Sequence, residues 1–89
     1  MRITKVVVRP VDMNKVCAVA SVTIDDEFVV HDLRVVDGDK GLFVAMPSRK
    51  LPNGEYRDVA HPINTATREM LQEAVLAEFK QMNLQVKES

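Results

Sequence analysis

The chain has 89 residues, one cysteine, four aromatic side chains and a formal charge of −1. That length allows one domain, 1–89, with a thin core that buries about 60–65% of the surface the unfolded chain exposes. The lone Cys17 excludes an intramolecular disulfide, no run approaches the ~18 apolar residues of a membrane span, and the near-neutral sum argues against a uniformly basic surface.

In chain order, Ile3–Val8 is short and β-branched and reads as a strand, with Pro10 as its stop. Arg9, Pro10 and Asp12 also interrupt the apolar run that a secretory leader would need, so a reducing cytoplasm is the expected location. Val16–Ile24 alternates, with Val16, Ala18, Ala20, Val22 and Ile24 on one face and Cys17, Val19, Ser21 and Thr23 on the other. Asp25-Asp26 supplies a tight turn. Phe28–Val36 follows, with Val29, His31, Leu33 and Val35 expected on one face and Asp32 and Arg34 on the opposite one. The stretch Asp37-Gly38-Asp39-Lys40-Gly41 is a second turn. Leu42–Met46 is a fourth strand ended by Pro47, and Tyr56–His61, after the turn signal Pro52-Asn53-Gly54, is a fifth. Short strands in succession predict an antiparallel meander over 1–62.

The period then changes. Asn64 is a good N-cap, and Met70, Leu71, Ala74, Val75, Phe79 and Met82 recur at helical spacing over 64–83, leaving 84–89 as a tail. One long helix packed on the meander makes an α+β domain. Glu78 falls near the middle of the apolar arc while Leu76 points away from it. Either the last turns overhang the sheet with Glu78 in water, or Leu76 packs on a second subunit and Glu78 pairs across that junction. Thin cores often gain stability by oligomerising, which keeps a dimer in view.

Charge is segregated along the chain. Residues 1–15 carry four cations against one carboxylate, 25–40 six carboxylates against two cations, and 47–68 four cations against two carboxylates. A face matters more than the sum, so separate basic and acidic faces are expected.

Enzyme signatures are poor. His31 and Asp32 are strand neighbours and point to opposite faces; His61 with Asp58 or Asp32 has no trustworthy metal-ligand spacing. Cys17 is strand-buried, which suits thiolate chemistry poorly, and the glycines lie singly at turns rather than in a phosphate loop. No catalysis, cofactor or metal is expected.

The stretch "AMPSRKLPNGEYRDVAHP" is different. Arg49 and Lys50 precede the Asn53-Gly54 turn, Arg57 follows it, and Tyr56 is the one aromatic platform nearby. Arginine matches phosphate with a planar fork, lysine as a point charge, and an aromatic ring can hold an unstacked base. Arg68 lies in the first helical turn, where the macrodipole disfavours a cation by a few tenths of a kcal/mol unless an anion compensates it. With Thr65, Thr67 and the free N–H groups it suits a phosphate, although a salt bridge to Asp58 or Glu55 would also explain it.

The segment "HDLRVVDGDKGLFVAMPSRKLPNGEYRDVAHPIN", with "TATREMLQEAVLAEF" after it and "VCAVASVTIDDEFVVHD" before it, resembles the stage V sporulation protein G (SpoVG) family over about residues 1–80. The resemblance implies a bacterial, cytoplasmic, homodimeric regulator of gene expression that binds DNA and RNA and is associated with sporulation and septation, with no membrane partner. It also places nucleic-acid contacts at Arg49, Lys50 and Arg68, and extends them to Arg57, with Lys80 at a more variable position. Tyr56 and Asn53 are the candidates for touching bases. The competing expectation is a protein-interaction module working through the acidic stretch 25–40 and exposed sheet edges.

Overall fold

The computed structural model describes residues 1–88, with side chains described through Met82. Four strands form an antiparallel sheet in sequential order: β1 (Ile3–Met13), β2 (Val16–Ile24), β3 (Phe28–Gly38) and β4 (Gly41–Ala45). A separate two-stranded ribbon, β5 (Ser48–Lys50) with β6 (Tyr56–Asp58), precedes helix α1 (Thr65–Glu88). The architecture is α+β as expected, with the meander one strand shorter. The predicted fifth strand ends at Asp58 and pairs outside the main sheet.

One sheet face carries the core. Ala18, Ala20 and Val22 from β2, Leu33 and Val35 from β3, and Val44 from β4 are buried with Met46 against Leu71, Val75 and Phe79 of α1. The helical residues stand four apart, so they form one stripe along the rod. Val6 and Val8 of β1 pack at the margin, and so does Leu76. Leu76 therefore does not point away from the sheet. Glu78 is exposed in the single chain, as both of its readings require. The helix also runs through most of the segment read as a tail; Ser89, at its end, lies outside the described residues.

Two strands depart from simple alternation. Pro10 does not stop β1, which continues to Met13. β1 is an edge strand, where a missing N–H can face outward without breaking a ladder bond; its register on β2 is regular from Lys5 to Pro10 and shifts beyond it. In β3, Ala20 pairs Leu33 but Val22 pairs Val30, so His31 and Asp32 together oppose Ser21. This is a β-bulge, with Asp32 at φ +67°. It resets the alternation: Val30, not Val29, joins Leu33 and Val35 on the core side. His31 is exposed beside Ser21, with Oγ and Nδ1 2.8 Å apart, rather than in the core.

The turns follow their chemistry. Asp25 and Asp26 both adopt left-handed φ, 55° and 56°, and the Glu27 N–H donates to the Ile24 carbonyl at 3.0 Å. That is the backbone of a primed turn, whose twist matches the flanking strands. Thr4 Oγ1 accepts from the Asp26 N–H, and the Asp25 carboxylate accepts from the Arg2 N–H, each at 3.0 Å. One carboxylate of the acidic stretch is thereby occupied in holding the turn to β1. At the start of α1 the Asn64 side chain accepts from the Thr67 N–H at 2.7 Å, the predicted cap, a contact worth about 1 kcal/mol.

Candidate nucleic-acid interface

The ribbon starts where the sheet has to stop. Pro47 has no N–H to extend β4, and its carbonyl instead accepts from the Val59 N–H at 2.7 Å, closing the base of the ribbon. At the far end the Leu51 N–H donates to the Glu55 carbonyl at 2.7 Å, across a three-residue loop of Pro52, Asn53 and Gly54. The Gly54 N–H donates to the Leu51 carbonyl at 2.9 Å, and Gly54 takes φ +91°, which only glycine adopts cheaply. Asn53 Oδ1 accepts from the Glu55 N–H at 3.0 Å. The structure thus gives Asn53 a place in the turn, its side-chain oxygen already engaged.

Loop length sets register, and register sets which side chains meet. Arg49 pairs Arg57, Lys50 pairs Tyr56 and Ser48 pairs Asp58. Directly opposed residues share a face, with Cβ atoms about 4.5–5.5 Å apart. One face of the ribbon therefore carries two directly opposed guanidinium groups, with Glu55 following at its loop end, opposite Leu51. The other carries Ser48, Lys50, Tyr56 and Asp58, one cation against one anion. Arg49, Lys50, Arg57 and Tyr56 are all exposed, Tyr56 at 69%.

Arg34 holds this ribbon to the sheet. From β3 its Nη2 donates to the Met46 carbonyl at 3.3 Å and to Ser48 Oγ at 3.1 Å. A lone arginine inside an apolar strand was the available signal, but the sequence could not say that its partner would be the start of β5.

Arg68 is exposed in the first turn of α1, where there is no acidic residue and its N–H donates to the Asn64 carbonyl at 3.2 Å. The helix packs mainly on β1, β4 and β2. Arg68 is thus a second cationic station, joined to the ribbon through residues 59–64 rather than packed against it. Lys80 is exposed two turns beyond Leu71.

Among the described residues no group of three or more His, Cys, Asp or Glu is placed to hold a metal ion. His61 is exposed, its Nδ1 donating to the Pro62 carbonyl at 3.0 Å. Among the described residues no helix is long and apolar enough to cross a membrane.

Known proteins resemble nearly the whole chain. The family model described as SpoVG matches residues 1–81. A protein of Agathobacter rectalis named "Putative septation protein SpoVG" is 59% identical over 81 residues, 90% of this chain and 93% of that protein. Proteins of the same name from Lachnospira eligens and Clostridium acetobutylicum are 60% identical over 81 residues and 57% over 83. These two alignments cover 90% and 92% of this chain, and 92% and 87% of the relatives.

Proposed function

The chain belongs to the SpoVG family, and on that premise we propose that it is a cytoplasmic, nucleic-acid-binding regulator with a role in septation or sporulation. The relatives' names support the cellular role. The observation that carries the binding is the direct opposition of two exposed cations, Arg49 and Arg57, across the ribbon. Like charges placed opposite each other destabilise a strand pair. A phosphate between the two guanidinium groups turns that repulsion into two charge-assisted hydrogen bonds. Lys50 and Arg68 add further charge, Arg68 together with the open N–H groups of the helix start.

The test is the salt dependence of affinity for a labelled duplex. One phosphate between the two arginines and one each at Lys50 and Arg68 give a slope of log K against log salt of about −3 per protomer. A slope near zero, or no binding at low salt, sinks the proposal and moves attention to protein partners of the acidic turn and sheet edges.

We propose further that two copies assemble, so that two ribbons act on one polyanion. Exposed Phe28, Val59 and Ile63 support this, since so small a protein leaves large apolar side chains in water. Light scattering at micromolar concentration is expected to give twice the chain mass of 10.0 kDa; a monomer there removes the two-ribbon arrangement. Linked arms bind more tightly than one through effective concentration alone.

A further inference from the structure

We infer that the preferred ligand of the ribbon is single-stranded, with an unpaired base stacked on Tyr56 while the neighbouring phosphate sits between Arg49 and Arg57. This inference rests on the nucleic-acid reading and specifies which form of nucleic acid that site takes.

The argument starts from the two chemically different faces. Strand alternation puts Arg49 and Arg57 on one side of the ribbon and Tyr56 with Lys50 on the other. The first side has two opposed cations at its middle, with Glu55 only at the loop end, and suits phosphate. The second is balanced, with Lys50 and Asp58 in diagonal positions across the strands, and its largest surface is an aromatic ring. A near-neutral aromatic face suits a base better than a phosphate.

A duplex cannot use both sides together. A two-stranded ribbon fits a major groove, but it then presents one face to the floor of the groove and turns the other away. The bases of a duplex are stacked on each other, so no base face is open to Tyr56. A single strand bends at every nucleotide. It can pass over the edge of a ribbon two strands wide, leaving phosphate on the arginine side and a base on the tyrosine side.

The ribbon is held ready for this. Both ends are closed by backbone hydrogen bonds, Val59 N–H to the Pro47 carbonyl and Leu51 N–H to the Glu55 carbonyl, each 2.7 Å. Arg34 ties its first residue, Ser48, to the main sheet. A platform already in place loses little freedom on binding.

The chain carries its own reporter. Tyr56 is the single tyrosine and there is no tryptophan, so intrinsic emission comes from the proposed stacking ring alone. The experiment titrates the full-length protein with a 16-nucleotide oligothymidylate and, separately, with a 16-base-pair dA·dT duplex. Tyrosine emission follows the wild type, and anisotropy of labelled oligonucleotides follows wild type, Tyr56→Ala, Tyr56→Phe and Arg49→Ala/Arg57→Ala.

The expected result is tighter binding of the single strand, with tyrosine emission quenched by the single strand and not by the duplex. Tyr56→Ala weakens single-strand binding about 5- to 100-fold, leaves duplex binding within about 2-fold, and Tyr56→Phe restores the single-strand affinity. The double arginine variant weakens both. If both ligands bind with a steep salt slope but Tyr56→Ala changes neither and emission is constant, single-strand preference is overturned while nucleic-acid binding stands. If neither ligand binds at low salt, both fall together.

Discussion

Replacing Arg49 and Arg57 together by alanine is expected to lower affinity for nucleic acid by about 100-fold or more while leaving the protein folded. A hydrogen bond to a charged group contributes about 1.5 kcal/mol or more, so two of them amount to about 3 kcal/mol, or roughly two decades at 1.4 kcal/mol per decade. The slope of log K against log salt should become shallower by about 1, for the single phosphate that the pair holds. Stability should move the other way. The two arginines oppose each other directly across the ribbon, so removing them relieves repulsion, and Tm is expected to stay or rise slightly. Weak binding by a well-folded variant identifies a ligand site. Lost binding together with a lower Tm would mean that the arginines hold the ribbon together, and the phosphate proposal would then fail. Single variants should each give about half the change in slope.

Leu33→Ala is expected to cost about 2–5 kcal/mol, a large share of the total stability of a domain this small. Leu33 is 1% exposed and sits opposite Ala20, so no large neighbour on β2 can collapse into the space it leaves. Urea unfolding should show a lower midpoint at unchanged m-value, and a loss near 3 kcal/mol would lower Tm by roughly 12–24 °C. The informative partner is His31→Ala. Plain alternation along β3 puts His31 and Leu33 on the same face, and both changes would then be severe. The bulge at Asp32 places His31 in the open beside Ser21, so its removal should cost about 1 kcal/mol or less. Equal losses from the two variants would contradict the bulged register.

Local chemistry made much of this protein legible. The period-two pattern of Val16–Ile24 coincides with β2 to the residue. The Asp25-Asp26 turn and the Asn64 cap both appear where side-chain type and position call for them, because each depends on atoms only a few residues apart. The basic character of 49–57 was likewise readable from composition, as was the cation at the helix start. Non-local pairing was harder. Pro10 reads as a stop, yet it is tolerated because β1 turns out to be an edge strand. The bulge at Asp32 leaves no local signature, since Asp is only moderately suited to φ +67°. Leu76 finds a place at the core margin that a helical wheel alone does not offer, because a sheet is a broader surface than a single stripe.

The ribbon shows most plainly where the division falls. Residue types and their order established that three cations and one aromatic flank a turn rich in Pro, Asn and Gly. Whether that turn has two residues or three was a tertiary decision. A two-residue Asn53-Gly54 loop would have set Lys50 against Arg57, whereas the three-residue loop, with Gly54 alone left-handed, sets Arg49 against Arg57 and Lys50 against Tyr56. Side chains alternate with a period of two, so that single residue decides which β5 side chain shares a face with Arg57 and which with Tyr56. Composition determined that the arm is basic; backbone pairing decided that its charge gathers on one side and its aromatic ring on the other.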